Sequence, residues 1–245
     1  VLRSPVDAAA LSPSERLRLK VELAAPALGG TSLILLGHAR ARDLVPRFLG
    51  VGYHIARAAV PLMETARARA RELADDPVAR GLEPYLERHI REEMHSEEPG
   101  GAVLADLEEL GTDPAELRAG PPPPKLAALI GDQYHSILSR HPVAVLGFLE
   151  LERFHAREST VERLIEITGL PRAGFRQLLL HAELDVGHAG ELDRLLDALP
   201  LEPWHERLIA ESALYTISAL AEVLLDVIDD TDAVSPTPTD QNAAA

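Results

Sequence analysis

His181-Ala-Glu-Leu-Asp185-Val-Gly-His188 is the stretch on which the reading of this sequence turns. On an α-helix, positions i, i+4 and i+7 fall in one narrow sector. His181, Asp185 and His188 therefore form a column about 10 Å long on one helix face. The flanking residues are apolar: Leu178, Leu179, Leu180, Leu184, Val186, Leu192 and Leu195. The column thus runs along or inside a buried stripe. Two imidazoles and a carboxylate, with no sulfur ligand, suit iron or manganese better than a soft metal. Gly187 leaves room for a partner helix or a ligand. A histidine-rich helix also places two imidazoles on one face by chance, so the triplet needs company.

Company comes from His89-Ile-Arg-Glu92-Glu93-Met-His95. Glu92 and His95 have the Glu-x-x-His spacing used by helix-bundle diiron sites. His89 and Glu92 share that spacing, and the three form one ridge. The competing reading is a solvated polar face, because Glu87, Arg88, Arg91, Glu97 and Glu98 surround it. A third segment, Gly147-Phe-Leu-Glu150-Leu-Glu152-Arg-Phe, sets two carboxylates inside an apolar helix. Glu150 lies on the side of Arg153 and Arg157, which suggests solvent and ion pairs. Glu152 shares a face with Val145, Phe148 and Leu149 and points inward. A buried unpaired glutamate is costly, so either a cation or a buried arginine must meet it. Glu92-x-x-His95, the inward Glu152 and His181-x-x-x-Asp185-x-x-His188 together offer three histidines and three carboxylates on three helices.

Outward from these segments the chain reads helical nearly throughout, rich in Ala, Leu, Arg and Glu. Ser12-Pro13-Ser14-Glu15 opens the first helix, with Ser12 and Glu15 as a capping box, and Gly29-Gly30 is its expected end. Helices are expected over about Arg40–Ala74, Pro77–Glu98, Val103–Leu110, Lys125–Arg140, Pro142–Glu158, Val161–Thr168, Arg172–Leu199 and Glu202–Asp229. Pro121 to Pro124 form a rigid connector. The expected organisation is one helical domain over 1–230, with an N-terminal helical extension over about 1–38. A disordered tail rich in Pro, Thr, Ser and Asp covers 231–245.

Composition narrows the function. The 245 residues, 46% hydrophobic, suffice for one sizeable core. A net charge of -15 repels phosphate backbones, which argues against nucleic-acid binding. Cysteine is absent, which excludes disulfides, thiolate catalysis and iron–sulfur clusters. No run of about 18 apolar residues suggests a membrane span, and no secretory signal is visible. The expectation is a cytoplasmic protein.

On these residues the sequence resembles the haem-oxygenase-like diiron oxidases and oxygenases, also called iron-containing redox enzymes. Their helical fold is shared with haem oxygenase, the TenA proteins and pyrroloquinoline-quinone synthase. The resemblance runs from about Arg40 to Leu199. Its specific parts are Glu92-x-x-His95 followed by Leu107 to Gly111, and the run from Leu146 to His188. It implies an all-α, haem-oxygenase-like helical bundle. It also implies six metal ligands in the order Glu, His, Glu, His, Asp, His, which here are Glu92, His95, Glu152, His181, Asp185 and His188. Glu150 competes with Glu152, and Glu93 with Glu92. Glu87 is in play because some members carry the first glutamate farther upstream. His89 has no counterpart in the pattern and is expected beside the ligands.

What the resemblance implies in turn is a pair of ferrous ions, with manganese as an alternative. The chemistry would be dioxygen activation for hydroxylation, N-oxygenation or carbon–carbon cleavage of a small metabolite, and a homodimer is an option. Lack of cysteine argues against the thiaminase type, which uses a thiol. Two other readings stay open. One is a metal-free or cofactor-binding enzyme of the same fold, quinone-forming or haem-degrading. The other is a helical ligand-binding protein with no active site. A ferritin-like bundle typically carries two Glu-x-x-His motifs, whereas this chain pairs one with His-x-x-x-Asp-x-x-His.

Overall fold

A computed structural model of the chain describes residues 10–94 and 100–233, except for the side chains of 184–186. Ten α-helices and three short 3-10 segments cover nearly all of these residues, and no strand occurs among them. The helices are α1 (Pro13–Gly37), α2 (Ala41–Glu72), α3 (Pro77–Glu93), α4 (Gly101–Glu109) and α5 (Pro114–Ala119). They continue with α6 (Pro124–Ser139), α7 (Val145–Leu149), α8 (Glu158–Thr168), α9 (Arg176–Ala198) and α10 (Pro203–Ala233). The 3-10 segments are Pro142–Ala144, Glu150–Phe154 and Arg172–Phe175.

Local chemistry explains most of the boundaries. The Ser12 hydroxyl accepts from the Glu15 amide, and the Glu15 carboxylate accepts from the Ser12 amide at 2.8 Å, closing the expected capping box. Asp76 caps α3 by accepting from the amides of Val78 and Ala79, at 2.7 and 3.0 Å. Gly111 and Gly169 follow α4 and α8 with φ of 84° and 61°, left-handed geometry that costs glycine nothing.

Besides α3, which ends at Glu93 where Glu98 was expected, three boundaries differ from the sequence reading. First, α1 runs through Gly29 and Gly30 to Gly37. Neither glycine takes a positive φ, and the helix packs more extensively on α10 than on any other element. That packing outweighs a helix-interior cost of about 1 kcal/mol per glycine. Second, the helix expected over Pro142–Glu158 is a 3-10 turn, five residues of α7 and a further 3-10 segment ending at Phe154. Third, α9 starts at Arg176, after the 3-10 turn 172–175. Its first turn is fixed by Asp106 of α4, whose carboxylate accepts from the Gln177 amide at 2.7 Å.

The main core gathers Leu62 and Met63 of α2, Leu82 and Leu86 of α3, Leu126, Leu129 and Ile137 of α6, Leu146 of α7, Leu192 of α9 and Ile217 of α10. A smaller core joins Leu44, Val45 and Tyr53 of α2 to Leu104 and Leu107 of α4, Val161 of α8 and Phe175. Helix α7 approaches α10 unusually closely. A Cβ on Gly147 would stand 2.4 Å from the Ile209 carbonyl oxygen and 2.6 Å from the Ala213 amide nitrogen. This contact fixes the height at which the following segment, 150–154, meets α3 and α9.

Contrary to the expectation of no apolar span, two helices are long and apolar enough to cross a membrane by length and composition. In α10 the relevant window is 61% buried within the bundle, so its apolar residues serve the core. In α1 it is 22% buried, with Leu23 and Leu33 facing outward.

Candidate metal centre

Three elements converge on one buried point. From α3 come His89 and Glu93, one helical turn apart on the same face. From the 3-10 segment comes Glu152, and from α9 comes His188. One ligand atom from each of these four residues lies within 4.8 Å of all the others. His89 Nε2 is 2.8 Å from Glu152 Oε1. His188 Nδ1 is 3.9 Å from both Glu93 Oε1 and Glu152 Oε2. The His89 and His188 rings are 5.0 Å apart, and Tyr85 stacks on the far side of His89 at 5.4 Å. The His89 side chain is 1% exposed, and those of Glu152 and His188 are each 11% exposed.

Among the described residues, several polar atoms here are buried without a hydrogen-bond partner: His89 Nδ1, Glu152 Oε2, Glu92 Oε2 and the Tyr85 hydroxyl. Such atoms cost free energy unless something meets them. Burial works to lower the His89 pKa. The hydrogen bond with Glu152 and the charges of Glu152, Glu93 and Glu92 outweigh it and leave the pKa raised. Burial pushes the Tyr85 phenol well above its ordinary value, and the Glu152 charge adds to this. A cation entering this point would meet two imidazoles and two carboxylates, a nitrogen–oxygen donor set that suits iron, manganese or zinc.

The 3-10 winding separates the two glutamates that the sequence left in competition. With three residues per turn, Glu150 and Arg153 eclipse each other. Glu150, fully buried, takes the Arg153 guanidinium at 2.7 Å. Burial pushes the Glu150 carboxyl up, against the pull of Arg153. Glu152 lies a third of a turn away and reaches His89 instead.

The other sequence-derived candidates stand as follows. Glu92 lies beside the cluster, with Arg88 Nε 3.8 Å from its Oε1. His181 lies two turns from His188 along α9, with its Nε2 2.6 Å from Gln177 Nε2 and its ring stacked on His155 at 4.7 Å. The backbone of Asp185 lies in α9 between them, and its side chain is outside the described residues, as is all of His95. His89 sits inside the cluster, whereas the sequence placed it beside the ligands. The signal for it was the His89–Glu93 spacing of four, overshadowed by Glu92-x-x-His95. Arg140, Arg172 and Arg176, basic residues that could bind a substrate carboxylate, are engaged by Glu211, Glu162 and Asp106. A surface hollow of about 330 Å³ between α4 and α5 shares no residue with the cluster.

A second group, Asp76, His141 and His205, also comes within 4.8 Å. No sequence pattern announced it, because its members stand on three separate segments. His141 Nδ1 accepts from the Val143 amide and His205 Nδ1 from the Glu202 amide, each at 3.1 Å. A neutral imidazole used this way carries its proton on Nε2. Both Nε2 atoms then carry a proton, which does not suit a metal; His141 Nε2 lies 3.5 Å from Asp76 Oδ2, and among the described residues neither Nε2 has a hydrogen-bond partner.

At the level of sequence, no family model and no curated protein matches the chain. Solved structures do. One neighbour is a domain of unknown function with a haem oxygenase-like fold from Shewanella denitrificans. Its TM-score is 0.74 at 14% identity, over 91% of this chain and 94% of that one. Another is a TenA homolog from Pseudomonas syringae pv. tomato, with a TM-score of 0.70 at 12% identity, over 93% and 98%.

This chain has the haem-oxygenase-like fold.

Identities this low carry the fold and nothing of the chemistry. Within that haem-oxygenase-like frame, α3, the 150–154 segment and α9 bring the His89–Glu93–Glu152–His188 cluster together.

Proposed function

We propose that the chain is a non-haem diiron oxidase or oxygenase that uses dioxygen to oxidise a small metabolite. The observation that carries this reading is the convergence of His89, Glu93, Glu152 and His188 from three elements, with Glu152 Oε2 buried and, among the described residues, without a hydrogen-bond partner. These four would hold one ion. Glu92, His181 and Asp185, with His95, are the residues proposed for a second. When bound, ferrous iron supplies the electrons that reduce dioxygen.

The chain's own groups do the rest. Glu93 and Glu152 offset the charge of a divalent cation. His89 releases its Nε2 proton when that nitrogen becomes a ligand, so loading liberates protons. Tyr85 and the surrounding apolar residues keep bulk water from the cluster. The substrate is proposed to be a small molecule, the location cytoplasmic and the assembly a homodimer.

One observation favours a second reading. The His89–Glu152 contact is already satisfied by a proton, so the cluster can stand without a cation. The chain would then be a metal-free or cofactor-binding enzyme of this fold, with the histidines lining a pocket.

Anaerobic titration with ferrous iron, followed by diffraction at the iron absorption edge, separates the two. The diiron reading expects two equivalents, with anomalous density beside His188 and Glu152, and oxygen uptake on exposure to air. Absence of iron binding, together with a haem absorption band on haem titration, would establish the second reading.

A further inference from the structure

We propose that Arg153 is a positioning residue that, acting through Asp193, fixes Glu152 opposite His188. This rests on the reading of the cluster as a metal centre. Glu152 belongs to a segment that cannot hold its place unaided. The segment is five residues of 3-10 helix, whose hydrogen bonds are poorer than those of an α-helix, and the chain turns extended at His155.

What anchors the segment is its only arginine. The Arg153 guanidinium takes Glu150 at 2.7 Å on one side. On the other side Nη2 reaches Asp193 Oδ1 at 2.5 Å, and Nη1 reaches Asp193 Oδ2 at 3.4 Å. Asp193 stands on α9 five residues beyond His188, about one and a half turns along. Arg18 of α1 adds a 3.3 Å contact to the same carboxylate. The fork thus ties the segment bearing one cluster carboxylate to the helix bearing one cluster imidazole. Planar bidentate geometry suits that task, whereas a lysine would supply only a point charge.

Neutralising Glu150 would by itself need no second arm. The Asp193 arm is what a merely structural account leaves unexplained, and it can be removed alone. Asp193→Ala keeps the Glu150–Arg153 pair and so leaves no buried charge without a partner. Outer partners of metal ligands typically change affinity about 10- to 100-fold when removed.

The test is anaerobic titration of the full chain with ferrous iron, and separately with cobalt(II), whose visible bands report ligand geometry. Thermal unfolding of the metal-free forms is measured alongside. The expected result is that Asp193→Ala weakens cation binding by about tenfold or more and alters the cobalt bands. The metal-free unfolding midpoint should move little, and Asp193→Glu should restore much of the affinity. Arg153→Lys, which keeps the charge and loses the fork, provides the same measurement should Asp193→Ala fold poorly. Wild-type affinity and unchanged bands in both variants would overturn the positioning role alone. Failure of the wild type to bind either cation would overturn the metal reading and the positioning role together.

Discussion

His89 Nε2 lies 2.8 Å from Glu152 Oε1, although 63 positions of chain separate the two residues. The contact joins the C-terminal half of α3 to the 3-10 segment that follows α7, and both partners are nearly removed from water. In this pair a proton stands where a cation could stand. Glu152→Gln keeps the shape and removes the charge. It should abolish tight ferrous binding at this point. It should also cost stability of about 1–3 kcal/mol, the usual penalty for weakening a buried charged hydrogen bond. Iron stoichiometry and urea unfolding of the metal-free variant check both parts.

Glu150 should behave differently, although it is only two residues away. Its carboxylate is buried against Arg153. Glu150→Ala removes a fully buried partner and leaves the guanidinium with Asp193 alone, so the loss lies toward the lower end of the about 3–5 kcal/mol that breaking a buried pair from one side costs. Its urea midpoint should therefore fall well below that of Glu152→Gln. A smaller loss for Glu150 than for Glu152 would contradict the assignment of the two carboxylates.

The pH dependence of stability should carry the mark of His141 and His205. Burial lowers both pKa values below the ordinary 6.5. Asp76 opposes the shift at both, and Arg69 adds to it at His141. The unfolded chain therefore binds more protons than the folded one below about 6.5. Their contribution to stability is complete above that value and is lost as the pH falls through the depressed folded values. Protonation at Nδ1 would also displace the amides of Val143 and Glu202 from their acceptors. Unfolding midpoints measured across this interval should fall with acid, and His141→Gln should flatten the slope. Asp76, itself held below its ordinary value despite burial by the amides of Ala79 and Val78, adds a further loss at more acidic pH.

Gly147→Ala tests how the site is held at its height. The added methyl would meet backbone atoms of α10, which cannot rotate away. Overpacking of this kind costs about 1–3 kcal/mol, or more where backbone must shift. The expected outcome is a marked fall in melting temperature, accompanied by weaker cation binding as segment 150–154 moves away from α3. Gly131→Ala in α6, where nothing among the described residues lies within 4 Å of the added carbon, is the control.

Much of the fold could be read along the chain. Ser12, Asp76 and Asp113 cap helices, Gly111 and Gly169 end them, and the run of prolines separates α5 from α6, because these are local backbone effects acting within a few residues. Where packing overruled local preference, the sequence misled. Gly29 and Gly30 did not stop α1, because α10 supports it. The segment after Pro142 is not one helix, because α7 is pressed against α10 at Gly147.

The candidate site divides along the same line. The 3.6-residue period by itself determined that His181 and His188 share a face of α9 and that His89 and Glu93 share a face of α3. Tertiary structure alone decided that His188 meets Glu93 and Glu152 while His181 meets Gln177 and His155. It also decided that a 3-10 winding turns Glu150 to Arg153 and leaves Glu152 to His89. The reason is range: periodicity orders side chains within one helix. Which faces meet depends on close packing between elements whose residues lie 36 to 99 positions apart, and no local pattern encodes that.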